Sequence, residues 1–325
     1  MKKPTVVITD YYYESIQQEQ ELCRQAGFEL LDYQCKTEDD VIAAAAGCDA
    51  LINQFAPITR RVIETLSNCK VIVRYAIGVD NIDVKAAEEN GIIVCNVPDY
   101  SIDEVSNHAI ALLLDCAKKL TYFAGKAREG CNSYTVVKPL YRMAGNVLGL
   151  MGFGRIPQLV ARKMSGFGVK IIACDPMIDP AIAEKHGVEL VSFERLLRES
   201  DYLSVHCPLN ESTRHVFDRE AFAKMKKSAI FINTARGAVV NEADLIHALE
   251  SGEIAMAGID VTETEPFTAD HPLLKMDNVV VTPHVAWYSE EAVKSLQRKT
   301  AEEVVRVLQG QEPLHPVNHP IKRKG

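Results

Sequence analysis

The chain has 325 residues, 47% of them hydrophobic, with a net charge of −8 and a pI near 5.7. That length suits two domains with sizeable cores, and the acidic balance excludes a general nucleic-acid binder, which needs a basic face. No apolar run approaches membrane-spanning length, and the start is too short for a signal peptide. Nine scattered cysteines without a C-x-x-C pair fit reduced thiols in a cytoplasm better than disulfides or a zinc site.

From the N-terminus, short apolar strands at 6–9, 28–31, 50–52 and 71–73 alternate with helical stretches through 25, to 46 and around 61–66. Such alternation predicts a parallel sheet with helices on both faces, a first α/β unit of about a hundred residues. After Asn96-Val97-Pro98-Asp99, the spacing of Ile110, Leu113, Leu114 and Leu120 predicts one long helix over 103–128, with Asp103 or Ser101 as its cap.

The apolar run 147–151 then feeds into Gly152-Phe153-Gly154-Arg155-Ile156-Pro157, followed by a helix-period segment and a second buried strand at 169–173 that Asp175 closes. In a dinucleotide-binding unit the first glycine makes the tight turn. The second lets backbone approach a pyrophosphate on the helix N-terminus, and an acid about twenty residues on accepts hydrogen bonds from a ribose diol. The usual third glycine is here Pro157. Proline is tolerable in a first helical turn, where its missing N–H has no intrahelical partner, but its ring is expected to push the helix slightly off the sheet. The cradle is therefore expected to rely on the N–H groups of Arg155 and Ile156. Further strands at 202–205, 230–233 and 255–259 complete a second α/β series, of the doubly wound kind whose ligand lies where the strand order reverses. The helix at 290–308 is expected to return to the first unit. The predicted architecture is α/β, with two doubly wound, Rossmann-like parallel-sheet domains and a cleft between them. Residues 1–99 and 286–325 form a discontinuous flavodoxin-like substrate domain, and 100–285 the dinucleotide-binding domain.

Three later segments complete the pattern: Asn233-Thr234-Ala235-Arg236-Gly237, the acidic turn Asp260-Val261-Thr262-Glu263-Thr264-Glu265-Pro266, and Thr282-Pro283-His284-Val285-Ala286-Trp287. With the glycine turn, they make the chain resemble the NAD-dependent D-2-hydroxyacid dehydrogenases over nearly its whole length. The segments Arg74-Tyr75-Ala76-Ile77-Gly78-Val79-Asp80, Cys95-Asn96-Val97-Pro98 and Pro283–Ser289 are most similar to that family's C-terminal-binding-protein branch. The resemblance implies Arg236 on the substrate carboxylate or carbonyl, His284 as acid/base, and Glu265 as the carboxylate bracing its imidazole. These residue types suit the chemistry, because reducing a 2-oxo acid needs a cation on the substrate and a group that gives the alkoxide a proton.

By the same resemblance, Gly152, Gly154, Arg155 and Ile156 face the pyrophosphate of NAD and Asp175 the adenosine ribose. Cys207, Pro208 and Thr213 take the far side of the dinucleotide, while Thr234, Ala235 and Asp260 approach the nicotinamide end. Asp175-Pro176-Met177, with no arginine at hand, favours NAD over NADP, since the carboxylate repels a 2′-phosphate. Substrate binding falls to the backbone of Ile77, Gly78 and Val79 and to Arg74, for which a structural salt bridge is the alternative. Trp287 either walls the pocket, favouring an apolar or aromatic side group, or serves a core or interface. The expected partners are a small anionic 2-oxo or 2-hydroxy acid and a second copy, joined through the long helix, with neither membrane nor nucleic acid. Two other functions stay open: an NAD(H)-sensing corepressor or scaffold, and a phosphoglycerate-type dehydrogenase, for whose regulatory domain the sequence leaves no room.

Overall fold

The computed structural model describes residues 3–320; the basic run Lys322-Arg323-Lys324, whose charge leads one to expect a solvated end, lies outside them. The chain divides into two compact units, Met1–Ser101 with Ser289–Gly325, and Ile102–Tyr288.

In the first unit, β1 (Thr5–Ile8), α1 (Gln17–Ala26), β2 (Glu29–Asp32), α2 (Glu38–Ala44), β3 (Ala50–Asn53), α3 (Arg60–Thr65), β4 (Val71–Arg74), α4 (Val84–Glu89) and β5 (Ile93–Cys95) follow in sequence. The strands form a parallel sheet in the order β2-β1-β3-β4-β5. Side chains alternate between its faces. Val7, Leu51, Ile72 and Val94 enter one core, while Val6, Ile8, Ile52 and Val73 enter the other. Leu296, Val304 and Val307 of the C-terminal helix (Glu290–Leu308) cover the second face, and the Ser289 hydroxyl caps that helix by accepting from the Ala292 N–H at 2.9 Å. The strand at β5 was not foreseen.

The second unit opens on two helices where one was predicted. α5 (Ile102–Lys118) ends at Lys119, which takes a left-handed φ of 51°, and α6 (Leu120–Arg128) restarts beyond it. The break is held by Asp115, whose carboxylate accepts from the Thr121 N–H at 2.8 Å and its hydroxyl at 2.5 Å. Neither expected cap forms. The Ser101 hydroxyl is buried without a partner, and Asp103 lies inside the helix, bonded to Lys163 and Asn107.

The unit continues through β6 (Val147–Met151), α7 (Arg155–Met164), β7 (Lys170–Cys174), α8 (Pro180–Lys185), β8 (Glu189–Leu190), α9 (Phe193–Glu199) and β9 (Tyr202–Val205). It ends with α10 (Arg219–Ala223), β10 (Ile230–Asn233), α11 (Glu242–Ser251), β11 (Met256–Ile259) and β12 (Val279–Val281). All seven strands are parallel, in the order β12-β11-β10-β9-β6-β7-β8. The sheet thus grows one way from β6 and then restarts at β9 on its other side, as a doubly wound sheet does. No helix among the described residues is long and apolar enough to cross a membrane.

Candidate active site

The order reversal brings the carboxyl ends of β6 and β9 side by side, and the glycine turn leaves from the first of them. Gly152 has φ +92°, and a Cβ there would lie 3.1 Å from the Cys207 nitrogen and the His206 carbonyl, so only glycine fits. Gly154 is the opposite case: a Cβ would meet nothing within 4 Å, leaving open space over the N-terminus of α7. No side chain caps that helix, so its first-turn N–H groups, those of Arg155 and Ile156 included, face that space unbonded within the helix. The first intrahelical bond runs from the Gln158 N–H to the Gly154 carbonyl at 3.1 Å; Pro157 therefore gives up no hydrogen bond, and its ring is buried.

Asp175 directly follows β7, and its carboxylate is engaged by the backbone around it. One carboxylate oxygen accepts from the Phe153 N–H in the glycine turn at 2.8 Å, and the other from the Met177 N–H at 2.9 Å. Two residues past the neighbouring strand β9, Cys207 is buried, with its thiol pushed up to about 12 by burial. The Thr213 hydroxyl is engaged by the Pro208 carbonyl at 2.6 Å and the Asn210 N–H at 2.8 Å, so it shapes its loop. The Thr234 hydroxyl, at the end of β10, is buried without a hydrogen-bond partner. An uncapped helix over open space and an orphaned buried hydroxyl on the same sheet edge suit a phosphate-bearing, hydroxyl-rich group such as a dinucleotide.

The candidate chemical residues leave three adjacent strands at that edge. Arg236 is three residues past β10, Glu265 six past β11, and His284 three past β12. Adjacent strands lie about 4.8 Å apart, which gathers loops that are distant in sequence. His284 Nδ1 lies 2.6 Å from Glu265 Oε2, with the His284 side chain 41% exposed. The other Glu265 oxygen accepts from the Thr262 N–H at 3.1 Å. Arg236 is half-buried, and Gly237 beside it presses on the Thr262 backbone, where a Cβ would lie 1.9 Å from the carbonyl oxygen.

Asp260 takes a place that sequence reasoning did not give it. Its side chain is wholly buried, accepting from the Thr282 hydroxyl at 2.5 Å and the N–H groups of Val285 and Ala286 at 3.0 and 2.9 Å. It thereby holds the loop on which His284 stands with a left-handed φ of 53°. His108, from α5, reaches the same Thr282 hydroxyl at 2.9 Å. Trp287 bonds back to the His284 carbonyl through Nε1 at 3.0 Å. His108 and His206 were both missed. Burial lowers His206 to about 3, and its Nε2 pairs with the Ser204 hydroxyl at 2.9 Å, which leaves a neutral imidazole at the switch point.

In the first unit, the segment after β4 is tied by its carbonyls. Ala76 accepts from the Val97 N–H at 3.0 Å, Ile77 from Asn96 Nδ2 at 2.6 Å, Gly78 from Arg74 Nη1 at 2.6 Å, and Val79 from the Ile82 N–H at 3.0 Å. The N–H groups of Ile77, Gly78 and Val79 donate to nothing among the described residues. Arg74 also donates to the Gln54 carbonyl at 3.2 Å and stands 3.9 Å from Asp80, which favours the structural alternative for this residue.

Residues 110–286 match the family model of the D-isomer specific 2-hydroxyacid dehydrogenase, NAD binding domain. The chain belongs to this family. As a D-2-hydroxyacid dehydrogenase it is 38% identical to the glyoxylate reductase of Korarchaeum cryptofilum over 285 residues, 86% of each chain. It is 40% identical to the D-3-phosphoglycerate dehydrogenase of Methanocaldococcus jannaschii over 286 residues, 87% of this chain and about half (54%) of that longer one. The structure of the D-lactate dehydrogenase of Aquifex aeolicus, complexed with NAD and lactic acid, is similar with a TM-score of 0.88 and 26% identity, covering 97% of this chain and 99% of that one. The dehydrogenase described here is thus an NAD-dependent oxidoreductase.

Proposed function

We propose that this dehydrogenase interconverts a small 2-oxo acid and its D-2-hydroxy acid, with Arg236, Glu265 and His284 as its chemical residues. The observation that carries the reading is the 2.6 Å contact of His284 Nδ1 with Glu265 Oε2 on a partly exposed ring. The carboxylate fixes Nδ1 as the protonated nitrogen and leaves Nε2 to exchange a proton with the substrate oxygen. In reduction His284 gives that proton to the carbonyl oxygen, and in oxidation it takes it from the hydroxyl. Glu265 keeps the ring in that orientation in both directions. The Arg236 guanidinium holds the carboxylate and polarises the carbonyl, a task suited to its planar fork. NAD, when bound, supplies or accepts the hydride, and the glycine turn, α7, Asp175, Cys207, Pro208, Thr213, Thr234 and Ala235 are the residues assigned to hold it. The free N–H groups of Ile77, Gly78 and Val79 are assigned to the substrate carboxylate, Arg74 keeps that segment in shape, and Trp287 faces the substrate side group.

Glyoxylate heads the substrates to be tried, on the strength of the glyoxylate reductase relative. The homodimer reading is supported by α6, which buries no residue, and by the exposed Leu120, Tyr134 and Tyr141; the nine cysteine thiols support the cytoplasmic one. The test is NADH oxidation with glyoxylate, hydroxypyruvate, pyruvate, 3-phosphohydroxypyruvate and bulkier 2-oxo acids, in the parent and in His284→Gln. Turnover by the parent and a loss of at least about 10²-fold in the variant are expected. Tight NADH binding with no turnover of any acid would overturn the reading in favour of an NAD(H)-binding scaffold of the C-terminal-binding branch.

A further inference from the structure

Glu19 is a carboxyl that the chemistry above does not use. It lies on α1 with no exposure, and no cation pairs with it among the described residues. One oxygen accepts from the Tyr75 hydroxyl at 2.6 Å, and the other from Gln297 Nε2 of the C-terminal helix at 3.3 Å; Gln297 also donates to the Ser15 carbonyl at 2.7 Å. Burial raises the pKa of this carboxyl. A carboxyl without a cation in an apolar core costs stability, so what it holds in place bears on its role.

Tyr75 supplies the connection. It immediately follows Arg74 and is 2% exposed, its ring is edge-on to Tyr13 at 5.2 Å, and its N–H donates to the Asn53 carbonyl at 2.8 Å. The Tyr13 hydroxyl accepts from Gln54 Nε2 at 3.3 Å, and the Gln54 carbonyl accepts from Arg74. The Tyr75 ring therefore bears on Arg74 through Tyr13 and Gln54, its N–H anchors the start of the segment, and its hydroxyl is fixed by Glu19. The carbonyls from Ala76 to Val79 are bonded and the N–H groups of Ile77, Gly78 and Val79 are free, so the direction of those N–H groups depends on how rigidly Tyr75 is seated.

We propose that Glu19 is a positioning residue for substrate binding, acting through Tyr75 to hold Ile77, Gly78 and Val79 with their N–H groups ready for a carboxylate. This rests on the substrate role assigned to that segment above. Hydrogen–deuterium exchange of the bonded amides that hold the segment, those of Tyr75, Ile82 and Val97, tests the brace without any turnover. Tyr75→Phe, which keeps the ring and removes only the hydroxyl, and Glu19→Ala are both expected to speed local exchange about tenfold, with the strands of the same sheet unchanged. KM for the 2-oxo acid is expected to rise about tenfold with kcat within about threefold. NADH affinity, measured by fluorescence titration, stays at the parental value. Glu19→Gln keeps an acceptor for the tyrosine hydroxyl and restores both exchange and KM. Unchanged exchange in Tyr75→Phe and Glu19→Ala, or a Glu19→Gln variant as impaired as alanine, would overturn the proposal. If the parent turns over no 2-oxo acid, the proposed function fails, and the exchange comparison alone still decides whether Glu19 braces the segment.

Discussion

Gly237 has no room for a side chain, and the atoms it would strike belong to the backbone of the loop that carries Glu265. A Cβ at this position lies 1.9 Å from the Thr262 carbonyl oxygen, 2.0 Å from its carbon and 2.6 Å from the Glu263 nitrogen. Ordinary contact begins near 3.4 Å, so Gly237→Ala forces the two loops apart by roughly 1.5 Å. Thr262 is bonded to Glu265 through its N–H at 3.1 Å, and its shift carries the carboxylate with it. A displacement of about 1 Å takes the 2.6 Å His284–Glu265 bond beyond hydrogen-bonding range. A misplacement of that size costs about 10²-fold in kcat, and the overpacking costs about 1–3 kcal/mol of stability. The assay is steady-state NADH oxidation with the best 2-oxo acid, alongside thermal unfolding and NADH titration. Kd for NADH is expected to rise by much less than kcat falls, because the glycine turn lies at the end of a different strand and only Thr234 and Ala235 adjoin the displaced loop. An alanine variant with parental kcat would refute the reasoning, since it would show that the loop absorbs the clash without moving the acid/base pair.

Asp175→Ala removes the acceptor that holds Phe153 in the glycine turn together with the group assigned to the ribose, so a loss of at least about tenfold in NADH affinity is expected by fluorescence titration. Burial keeps the folded His206 imidazole neutral down to about 3, whereas the unfolded residue takes a proton near 6.5. Its contribution to stability is therefore full above pH 6.5 and is lost as pH falls toward 3, amounting to about 2 kcal/mol between pH 8 and pH 5. Urea unfolding at those two pH values is expected to show a drop in the parent that His206→Asn reduces by that amount. Equal slopes in both proteins would count against it.

Much of this fold was legible because its strands are short apolar runs separated by turn residues, and because Gly152, Gly154 and Asp175 fall at spacings with a physical meaning. The strands missed were those with little periodicity: β5 and β12 have three residues each, and β8 only two. β12 mattered most, since it delivers His284; three consecutive valines between Asn278 and Thr282 were its signal. The break at Lys119 was hidden because the apolar stripe runs on across it, while the decisive bonds come from the polar pair Asp115 and Thr121. The trio of Arg236, Glu265 and His284 was found through motif resemblance, whereas the buried duty of Asp260 depends on strand order, which no local pattern encodes. Tyr75 was visible only as part of a motif, and its tie to Glu19 joins residues 56 positions apart.

One core of the first unit is completed by Leu296, Val304 and Val307, residues made only after the whole of Ile102–Tyr288 has been synthesised. At roughly 5–20 residues per second, a ribosome leaves that apolar sheet face waiting about 10–40 s for its covering helix. During biosynthesis that part of the amino-terminal sheet stays uncovered, while the intervening Ile102–Tyr288 unit already has every strand of its own sheet.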